Sequence, residues 1–510
     1  MIRIWPVGKP NYMSSIDFFV AAEKYFAKMV ENIQNPVIKE NHLDIIEDEL
    51  LRETRELARL LLQGHIDSRG DGEIGAMVIS SSKVELKKRR KTSRILKTLF
   101  GQVKIIRVSY SHEGHRSLFP LDASLNLPHC SFSYGLQQLV VQELIKGSFE
   151  ESLLTIERLT GVTIGPRQAL EIVKQCAMDF DSFYQQSTFQ RRTEELLLVP
   201  ILVLTTDGKG IVMRHASLRE GTRKRQNHTK LKHRLSKGEK SNRKRMAQVA
   251  SIYFIERFVR QPEDLLSEFW RKTAKLKRPR PLDKRIWASV EKSYSQVISE
   301  LFEEAIRRDP KQCKEWVVLI DGQKYQLHEI QKVAQQRRLK ITIILDLIHV
   351  IEYLWDVAHV FFEESNTLCE EWVENKLLEV LNSRGRKVAG SIRMSAAKRN
   401  LSDKQLKQVE TAANYLTKNK EYIDYQTYLH RGYPIGTGVI EGTCRYLVKD
   451  RMDITGARWG LEGAEAILKL RSIIKSNDFE DYWKFHLKQE FERNYASKYQ
   501  DINQVCSVLS

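Results

Sequence analysis

The pattern of hydrophobic and polar positions changes character several times along the chain. From Ile16 to Leu62, apolar residues recur at helical spacing among many charges, which predicts amphipathic helices. The segment KKRRKTSRILKTLFGQVKIIRVSY joins a basic cluster to an alternating pattern, which predicts a cationic arm followed by a small sheet. Further helical patterns lie between Tyr134 and Gln186, and their short loops are typical both of helix-turn-helix DNA-binding regions and of plain helical bundles.

A different pattern begins at Leu196, where strands and helices are predicted to alternate. The apolar run LLLVPILVLTTDGKGIVM predicts a buried strand that ends at Asp207, and QVASIYFI predicts a second strand after a basic insertion. Helix YSQVISELFEEAIRR leads to strand KEWVVLIDGQ, which ends at Asp321, and helix YQLHEIQKVAQQ leads to strand ITIILDLIHV. We therefore expect an α/β sheet with acidic residues at its strand ends.

These patterns, with a mostly helical stretch from Glu352 to Leu429, divide the chain into five regions. We predict a largely α-helical N-terminal region, a small sheet with a helical DNA-binding region, an α/β core, a helical insertion, and C-terminal helices that complete the core with a tail. The core contains the basic insertion at 214–246. The predicted regions are 1–90, 91–195, 196–351, 352–430 and 431–510.

Composition narrows the choice of partner. The 510 residues carry a formal net charge of +18, which suits a polyanionic partner, nucleic acid first and an anionic membrane surface second. The longest apolar runs are shorter than the roughly 20 residues that span a bilayer, so no membrane helix is expected. The six cysteines form no CxxC pair, which argues against a zinc module and a disulfide framework. Because the N-terminus lacks a signal-peptide pattern, we expect a cytoplasmic, nucleoid-associated protein.

Three acidic residues stand in settings that suit metal binding. Asp207 and Asp321 each follow an apolar strand and precede glycine, at the kind of sheet edge where open α/β folds bind ligands, although Asp-Gly alone is a common turn signal. Glu441 begins a helix after the turn YPIGTG, and an ion pair with Arg445 or Lys449 is its ordinary alternative. A cluster of the three carboxylates needs a cation to relieve its repulsion, and Mg²⁺ prefers such oxygen ligands. Two such ions about 3.5–4 Å apart can stabilise both the attacking and the leaving oxygen of a phosphodiester displacement.

The succession LTTDGKG, VVLIDGQ, LDLIHV and GYPIGTGVIEGTCRYLVKDRMDITGARWGLEGAEAILKLRS resembles the DDE transposases of bacterial insertion sequences, in particular the ISKra type. The resemblance covers most of the chain, including KTLFGQVKIIRVSY and FPLDASLNL, and the glutamate-centred segment is its most specific part. It implies a ribonuclease-H-like core, a mixed sheet flanked by helices, with two aspartates on strands and a glutamate on a later helix. Matched motif by motif, the catalytic and metal-binding residues are Asp207, Asp321 and Glu441. The chain departs from its relatives at SHEGHRS, where they often carry paired cysteines.

Asp346 and His349 form a D-x-x-H pair at the end of the last core strand, which related transposases also carry. Two roles are open: the pair assists metal or DNA positioning, or it caps the helix that follows. We favour Asp321 as the second metal ligand, because its strand is expected to lie beside that of Asp207. Asp346 is the reserve candidate.

Lysine and arginine concentrate in two segments that we predict to contact DNA phosphates. One is the insertion RHASLREGTRKRQNHTKLKHRLSKGEKSNRKR, which has few acids and adjoins the proposed active-site strand. The other follows Glu441, and there Trp459 is either a base-stacking residue or part of the core. The predicted DNA-binding residues are Arg223, Lys224, Arg225, Lys230, Lys232, Arg243, Lys244, Arg245, Arg445, Lys449, Arg451, Arg458 and Trp459.

Charge, acids and resemblance together predict a transposase that cleaves the ends of an insertion sequence and joins the freed 3′-hydroxyl to target DNA, using two Mg²⁺ ions, for which Mn²⁺ can substitute. Its partners would be the terminal inverted repeats and the target DNA, and handling two ends implies a homodimer or a higher oligomer. Two alternatives stay open: a catalytically inactive or domesticated sequence-specific DNA-binding protein, and a metal-dependent DNA nuclease that cuts without joining.

Overall fold

A computed structural model of the chain describes residues 17–36, 41–186, 198–227, 241–270, 277–363, 367–454 and 456–509. The chain forms two compact units, one comprising Met1–Asp179 with Trp483–Ser510 and the other comprising Phe180–Tyr482. The sequence predicts a single region over 431–510, whereas in the structure the last part of that region, from Trp483 onward, belongs to the first unit.

The helices of the first unit begin where the sequence supplies capping residues. Ser133 and Ser148 each accept a hydrogen bond from a backbone N–H of the helix that follows, and another helix begins with Pro166 at its first position. One helix ends at Gly161, whose φ of 69° suits glycine. The helices are α1 (Val20–Gln34), α2 (Leu43–Ser68), α3 (Pro120–Ser124), α4 (Tyr134–Leu144), α5 (Phe149–Thr160) and α6 (Pro166–Cys176).

The first unit also holds an antiparallel sheet of three strands in the order β1-β2-β3. These strands are β1 (Met77–Ile79), β2 (Glu85–Thr98) and β3 (Gly101–Ser111). The prediction of a cationic arm before the sheet is wrong. The basic cluster lies inside β2, which pairs with β3. The predicted helical region 1–90 likewise contains β1 and the start of β2.

The second unit is built on a mixed sheet of five strands in the order β6-β5-β4-β7-β8. The central strand, β4, pairs antiparallel with β5 and parallel with β7; β6 pairs antiparallel with β5, and β8 pairs parallel with β7. Residues 201–206 of β4 are all buried, as expected of an apolar central strand. The strands are β4 (Ile201–Val212), β5 (Lys244–Ile255), β6 (Leu282–Ser289), β7 (Glu315–Ile320) and β8 (Ile341–Leu345).

Helices connect and cover these strands. The region predicted to be mostly helical, from Glu352 to Leu429, is helical over most of its described residues. Single 3₁₀ turns lie at His215–Ser217 and Lys420–Tyr422. The helices are α7 (Phe180–Gln186), α8 (Glu220–Asn227), α9 (Pro262–Phe269), α10 (Tyr294–Arg308), α11 (Lys324–Gln336), α12 (Leu347–Phe361), α13 (Thr367–Leu381), α14 (Gly385–Ala397), α15 (Asp403–Lys418), α16 (Tyr425–His430), α17 (Gly438–Thr443) and α18 (Leu461–Lys475).

After α17 the helix continues through a π-helical turn, Cys444–Lys449, and one last turn, Asp450–Met452. The boundary between the units falls inside α19 (Phe479–Asn494), which is followed by the 3₁₀ turn Ala496–Lys498 and by α20 (Ile502–Val508). No helix among the described residues is both long and apolar enough to cross a membrane. The fold is therefore mixed α/β, with one mixed sheet and one antiparallel sheet among many helices.

Candidate active site at the edge of the five-stranded sheet

The candidate site begins with two aspartates on neighbouring parallel strands. The last residue pair between β4 and β7 joins Thr205 to Leu319. Asp207 and Asp321 each lie two residues beyond that pair, so they stand level at one edge of the sheet. Because adjacent strands are about 4.8 Å apart, the register brings the two predicted catalytic aspartates to the same place.

Asp207 lies inside its strand, although the sequence predicts it at the strand end. β4 continues to Val212 because β5 pairs with it along its whole length, and only the parallel partner, β7, stops earlier. The side chain of Gln326 joins β4 to the end of β7 beyond their last backbone pair. Its Nε2 donates to the carbonyl of Thr206 at 2.8 Å, and its Oε1 accepts from the backbone N–H of Asp321 at 3.4 Å.

Glu441 reaches the same edge on α17, which packs against β4 and β5. On the next helical turn the buried thiol of Cys444 donates a hydrogen bond to Asp207 Oδ2, with a distance of 3.2 Å. Cys444 also begins the π-helical turn, a rare geometry that is frequent at functional sites. The helix that carries Glu441 is thus joined directly to Asp207.

Among the described residues, Glu441 does not form the ion pair with Arg445 that the sequence left open. Arg445 Nε lies 3.9 Å from Asp450 Oδ1, and Arg445 is 80% exposed. Glu441 Oε1 instead lies 3.4 Å from the hydroxyl oxygen of Thr437, whose proton is shared mainly with the closer Asp346 Oδ2, at 2.6 Å. Among the described residues, the partner of Arg445 is therefore Asp450.

Asp346 has the capping role that the sequence left open. It is fully buried, and its Oδ1 accepts from the backbone N–H of Ile348 at the start of α12. The backbone N–H of Thr437 donates to the same oxygen at 2.8 Å, and the Thr437 hydroxyl donates to Oδ2 at 2.6 Å. Asp346 therefore caps α12 and fixes the turn before Glu441.

Burial and neighbouring carboxylates raise the pKa of two of the predicted ligands. The pKa of Asp321 lies above its usual range because of burial and the charge of Asp207. The pKa of Glu441 is raised in the same way, by burial and by the charge of Asp346. Burial is the larger cause of both shifts and the neighbouring carboxylate adds to it; a bound cation would favour the ionised form of each group.

His349 faces the same group of acids from the first turns of α12. Its Nδ1 lies 3.1 Å from Glu352 Oε2. Burial lowers the pKa of His349, but the carboxylates of Asp346, Glu352 and Asp321 outweigh this effect and raise it overall. A cavity of about 360 Å³ opens beside these groups, lined by Asp321, Gln323, His349, Glu352, Tyr353 and Asp356.

Asp207 and Asp321 are close enough for the charge of one to act on the other, but the three predicted magnesium ligands are not arranged as a finished metal site. Within the described ranges, no group of three or more histidine, cysteine, aspartate or glutamate side chains is placed to hold a metal ion. Asp321 accepts two hydrogen bonds from Gln323, at 3.0 and 2.7 Å, and Asp207 accepts from Cys444. The donor set fits Mg²⁺ in chemistry and charge, and these hydrogen bonds would have to rearrange when an ion binds.

The predicted DNA-binding residues fall into three groups. Arg451 and Trp459 are buried, with the guanidinium of Arg451 4.8 Å from the Trp459 ring centre, and Trp459 Nε1 donates to the Met452 carbonyl. The prediction that these two face DNA is therefore wrong, and Trp459 belongs to the core. Lys230 and Lys232 lie outside the described residues. The remaining residues are exposed or half-exposed: Arg223, Lys224, Arg225, Arg243, Lys244, Arg245, Arg445, Lys449 and Arg458.

Backbone pairing brings the two ends of the basic insertion and the segment of Trp459 together at the end of β4. Met213 forms a parallel bridge with Trp459, and Arg214 N–H donates to the Trp459 carbonyl at 2.8 Å. Met213 N–H also donates to the carbonyl of Arg243 at 2.9 Å. The exposed Arg243 and Arg458 consequently lie on segments that meet beside the strand of Asp207.

The chain was compared with models of known protein families and with curated proteins. Neither comparison found a match. The resemblance to DDE transposases therefore depends on the sequence motifs, and the activity it implies stays a prediction.

Sequence reasoning missed the residues that hold the acids in place. Thr437, Gln326 and Cys444 make their contacts with residues that are distant in sequence. Threonine is favoured immediately before a helix as a capping residue, but the Thr437 hydroxyl bonds to Asp346 instead of capping α17, so the local signal does not predict this contact. Cys444 has only a weak one, because its position three residues after Glu441 places it on a nearby face of the helix.

Proposed function

We propose that this chain is a DNA transposase that cleaves the ends of an insertion sequence and joins the freed 3′-hydroxyl to target DNA. The second unit would be its ribonuclease-H-like catalytic core. The order β6-β5-β4-β7-β8 supports this proposal, because it places two aspartates on adjacent parallel strands and brings a later helix with a glutamate to the same edge.

The contact between Cys444 and Asp207 is the observation that carries the proposal. It joins residues that are 237 positions apart and brings the helix of Glu441 to the strand of Asp207. Asp321 lies level with Asp207 on the neighbouring strand, and the two carboxylates are close enough for one to raise the pKa of the other. An arrangement that costs electrostatic energy in the free protein is typical of sites that work with a bound cation.

Asp207, Asp321 and Glu441 would hold two Mg²⁺ ions, or Mn²⁺ in their place. When bound, such ions supply positive charge and Lewis acidity for an in-line displacement at phosphorus. The protein's own part is to present three carboxylates from rigid elements and to hold Glu441 through the bonds of Thr437 with Asp346. Because water and then the 3′-hydroxyl are the nucleophiles, no side chain is required to form a bond to DNA.

The DNA would lie across the exposed basic residues at the end of β4. Arg243, Lys244 and Arg458 are exposed there, and phosphate contacts are the usual role of such side chains. The terminal inverted repeats and the target are the proposed DNA partners. A homodimer or higher oligomer would bring two ends together.

The proposal is tested by replacing each acid with its neutral isostere. Asp207→Asn, Asp321→Asn and Glu441→Gln should each reduce strand transfer by at least about 10³-fold, because each removes a charged oxygen ligand, while binding to end DNA stays within about twofold of wild type. The measurement is conversion of a labelled element end, with Mg²⁺, into cleaved and joined products. Asp403→Asn, an exposed acid at the start of α15, is the matched control and should retain full activity.

The products distinguish the proposed function from its alternatives. Joined molecules that disappear in the three variants support the transposase. Cleavage without joining indicates a nuclease, and unaltered DNA bound by wild type indicates a DNA-binding protein. Full strand transfer by any one of the three variants would remove that residue from the catalytic site.

A further inference from the structure

A second basic surface lies in the first unit, on the antiparallel ribbon of β2 and β3. Five consecutive basic residues, Lys87 to Lys91, occupy β2, and all five side chains are exposed. A strand with every consecutive side chain exposed departs from the usual alternation, in which every second residue faces the core. The local geometry of the strand accounts for the two central arginines.

The strand contains a β-bulge within the basic run. Lys88 pairs with Tyr110 and Lys91 pairs with Val108, so Arg89 and Arg90 together lie opposite the single residue Ser109. The hydroxyl of Ser109 donates a hydrogen bond to the carbonyl of Arg90 at 3.1 Å. A bulge of this kind redirects side chains, and here it places two neighbouring arginines outside the regular ladder.

The charges in this run are only partly neutralised. Lys88 is paired with Glu73, and Lys91 Nζ lies 2.7 Å from Asp71 Oδ2. Over the part of the chain that the structure describes, no ion pair involves Lys87, Arg89 or Arg90. The two lysines beside the bulge therefore have acidic partners, while the arginines at its centre present uncompensated charge to solvent.

The surface around the bulge is partly covered and partly open. On β3, Lys104, Ile106, Val108 and Tyr110 share a face; Val108 and Tyr110 are buried, whereas Lys104 and Ile106 are exposed. Part of one broad face of the ribbon is thus covered by core, and the part beyond the bulge is open. β1 pairs with β2 only as far as Lys87, so Arg89 and Arg90 lie beyond the edge of that strand, where exposed arginines can contact DNA phosphates.

We propose that the bulge at Arg89 and Arg90 on the β2–β3 ribbon is a contact surface for the phosphate backbone of duplex DNA, separate from the catalytic edge of the second unit. The choice of duplex DNA over other polyanions rests on the proposed function. The surface would hold the element end while the second unit acts on it.

The test is the affinity and salt dependence of the full-length protein for a short fluorescein-labelled DNA duplex. Arg89→Ala with Arg90→Ala should weaken binding about tenfold and lower the slope of log Kd against log salt by about two, since each phosphate contact contributes about one. Arg89→Lys with Arg90→Lys should keep the slope. Lys24→Ala with Lys28→Ala, two exposed lysines on α1, removes the same charge elsewhere in this unit and should change the affinity by less than about twofold.

A charge-neutral change tests whether the bulge matters as a structure. Ser109→Ala removes the hydrogen bond to the Arg90 carbonyl and should weaken DNA binding severalfold, with the unfolding temperature of each variant measured to confirm folding. Equal losses in the arginine and Lys24/Lys28 variants would overturn the proposal, because they would show an effect of total charge alone. Unchanged DNA binding by Ser109→Ala would overturn the role of the bulge geometry.

Two further measurements keep this proposal apart from the proposed function. Duplex binding measured in EDTA, without a divalent cation, involves no reaction, so the role of the bulge can be read from the affinity alone. If the arginine variant loses binding to phosphatidylcholine–phosphatidylserine vesicles while its DNA affinity is unchanged, the surface serves a membrane and the proposal fails.

Discussion

At the scale of single residues, the most informative contact is the hydrogen bond from the Cys444 thiol to Asp207. Burial raises the pKa of this thiol, and the charge of Asp207 raises it further, so the sulfur keeps its proton and acts as a donor. A thiol donor is weak, which lets it orient the carboxylate while leaving the carboxylate able to bind a cation. Cys444 is therefore a positioning residue for the proposed metal site.

Replacing Cys444 separates this role from simple packing. Cys444→Ala removes the donor and should raise the Mg²⁺ concentration for half-maximal strand transfer by about tenfold, the lower end of what residues behind a metal ligand contribute. Cys444→Ser keeps a donor and should stay within about threefold of wild type. Cys313→Ala, at an exposed cysteine of the same unit, is the control. An unchanged Mg²⁺ midpoint in Cys444→Ala would show that the contact does not position the acid.

At the scale of elements, Asp346 links three segments at one point. It directly follows β8, caps α12, and accepts hydrogen bonds from Thr437 in the turn that precedes α17. A buried carboxylate must keep its donors, because an unmet acceptor in the interior costs about 1–3 kcal/mol. The bonds of Thr437 therefore fix the position from which Glu441 enters the site.

Thr437→Val tests this link with little change in side-chain shape. The variant loses the hydroxyl bond to Asp346 and should lower the free energy of unfolding by about 1–3 kcal/mol. It should also raise the Mg²⁺ requirement, because the turn that precedes Glu441 is then held to Asp346 by fewer hydrogen bonds. Urea unfolding and an Mg²⁺ titration of strand transfer measure the two effects. Thr411→Val, an exposed threonine whose hydroxyl donates to the Lys407 carbonyl of its own helix, serves as the reference and should change neither value appreciably.

The elements also show how far the sequence can predict this structure. Helix α10 has the predicted limits, Tyr294 to Arg308, because Ser293 caps it and its apolar face is continuous. Strand β6 was missed, since LDKRIWAS is charged over its first half and pairs with β5, which the local sequence does not reveal. Pairing with β5 also explains the error at Asp207, where long-range hydrogen bonds override an Asp-Gly turn signal.

The same reasoning applies to the candidate site. The level placement of Asp207 and Asp321 follows from two apolar strands that each lead to an acid, which is readable in the sequence. The bonds that hold Glu441 depend on how α17 packs, and no local pattern encodes them. Arg451 and Trp459 were misjudged because charge and aromaticity predict binding only for exposed side chains, and burial is set by tertiary packing.

At the scale of the whole molecule, the chain is strongly positive but its candidate site is acidic. The chain has a net charge of +18, yet its candidate site gathers Asp207, Asp321, Asp346 and Glu441 at one sheet edge. A positive molecule attracts a polyanion, and the acidic edge would repel the same phosphates unless a cation lay between them. Binding of DNA and binding of a divalent cation should therefore support one another.

The stability of the protein should report this cation site even without DNA. The pKa values of Asp321 and Glu441 are raised in the folded state. At pH values near the carboxyl range, the folded protein therefore binds more protons at these groups than the unfolded chain does. Without a divalent cation, their contribution to stability should therefore fall as the pH rises from the usual carboxyl range through the raised values. Because Mg²⁺ binds the ionised carboxylates, its stabilising effect should be small near pH 4 and grow toward neutral pH, reaching about 2.7 kcal/mol at a concentration 100 times Kd.

Calorimetry with and without Mg²⁺ measures this effect, with Ca²⁺-free buffers across the same pH range. The double variant Asp321→Asn with Glu441→Gln should lack both the loss of stability on raising the pH and the response to Mg²⁺, since it has neither ionisable group. A shift of the unfolding temperature by Mg²⁺ that is equal at acid and neutral pH, or equal in the variant, would place the cation elsewhere on the molecule. If the shift of the unfolding temperature by Mg²⁺ grows as the pH rises through the raised pKa values and disappears in the variant, the cation lies at these carboxylates. No other charge of the protein differs between the variant and the wild type.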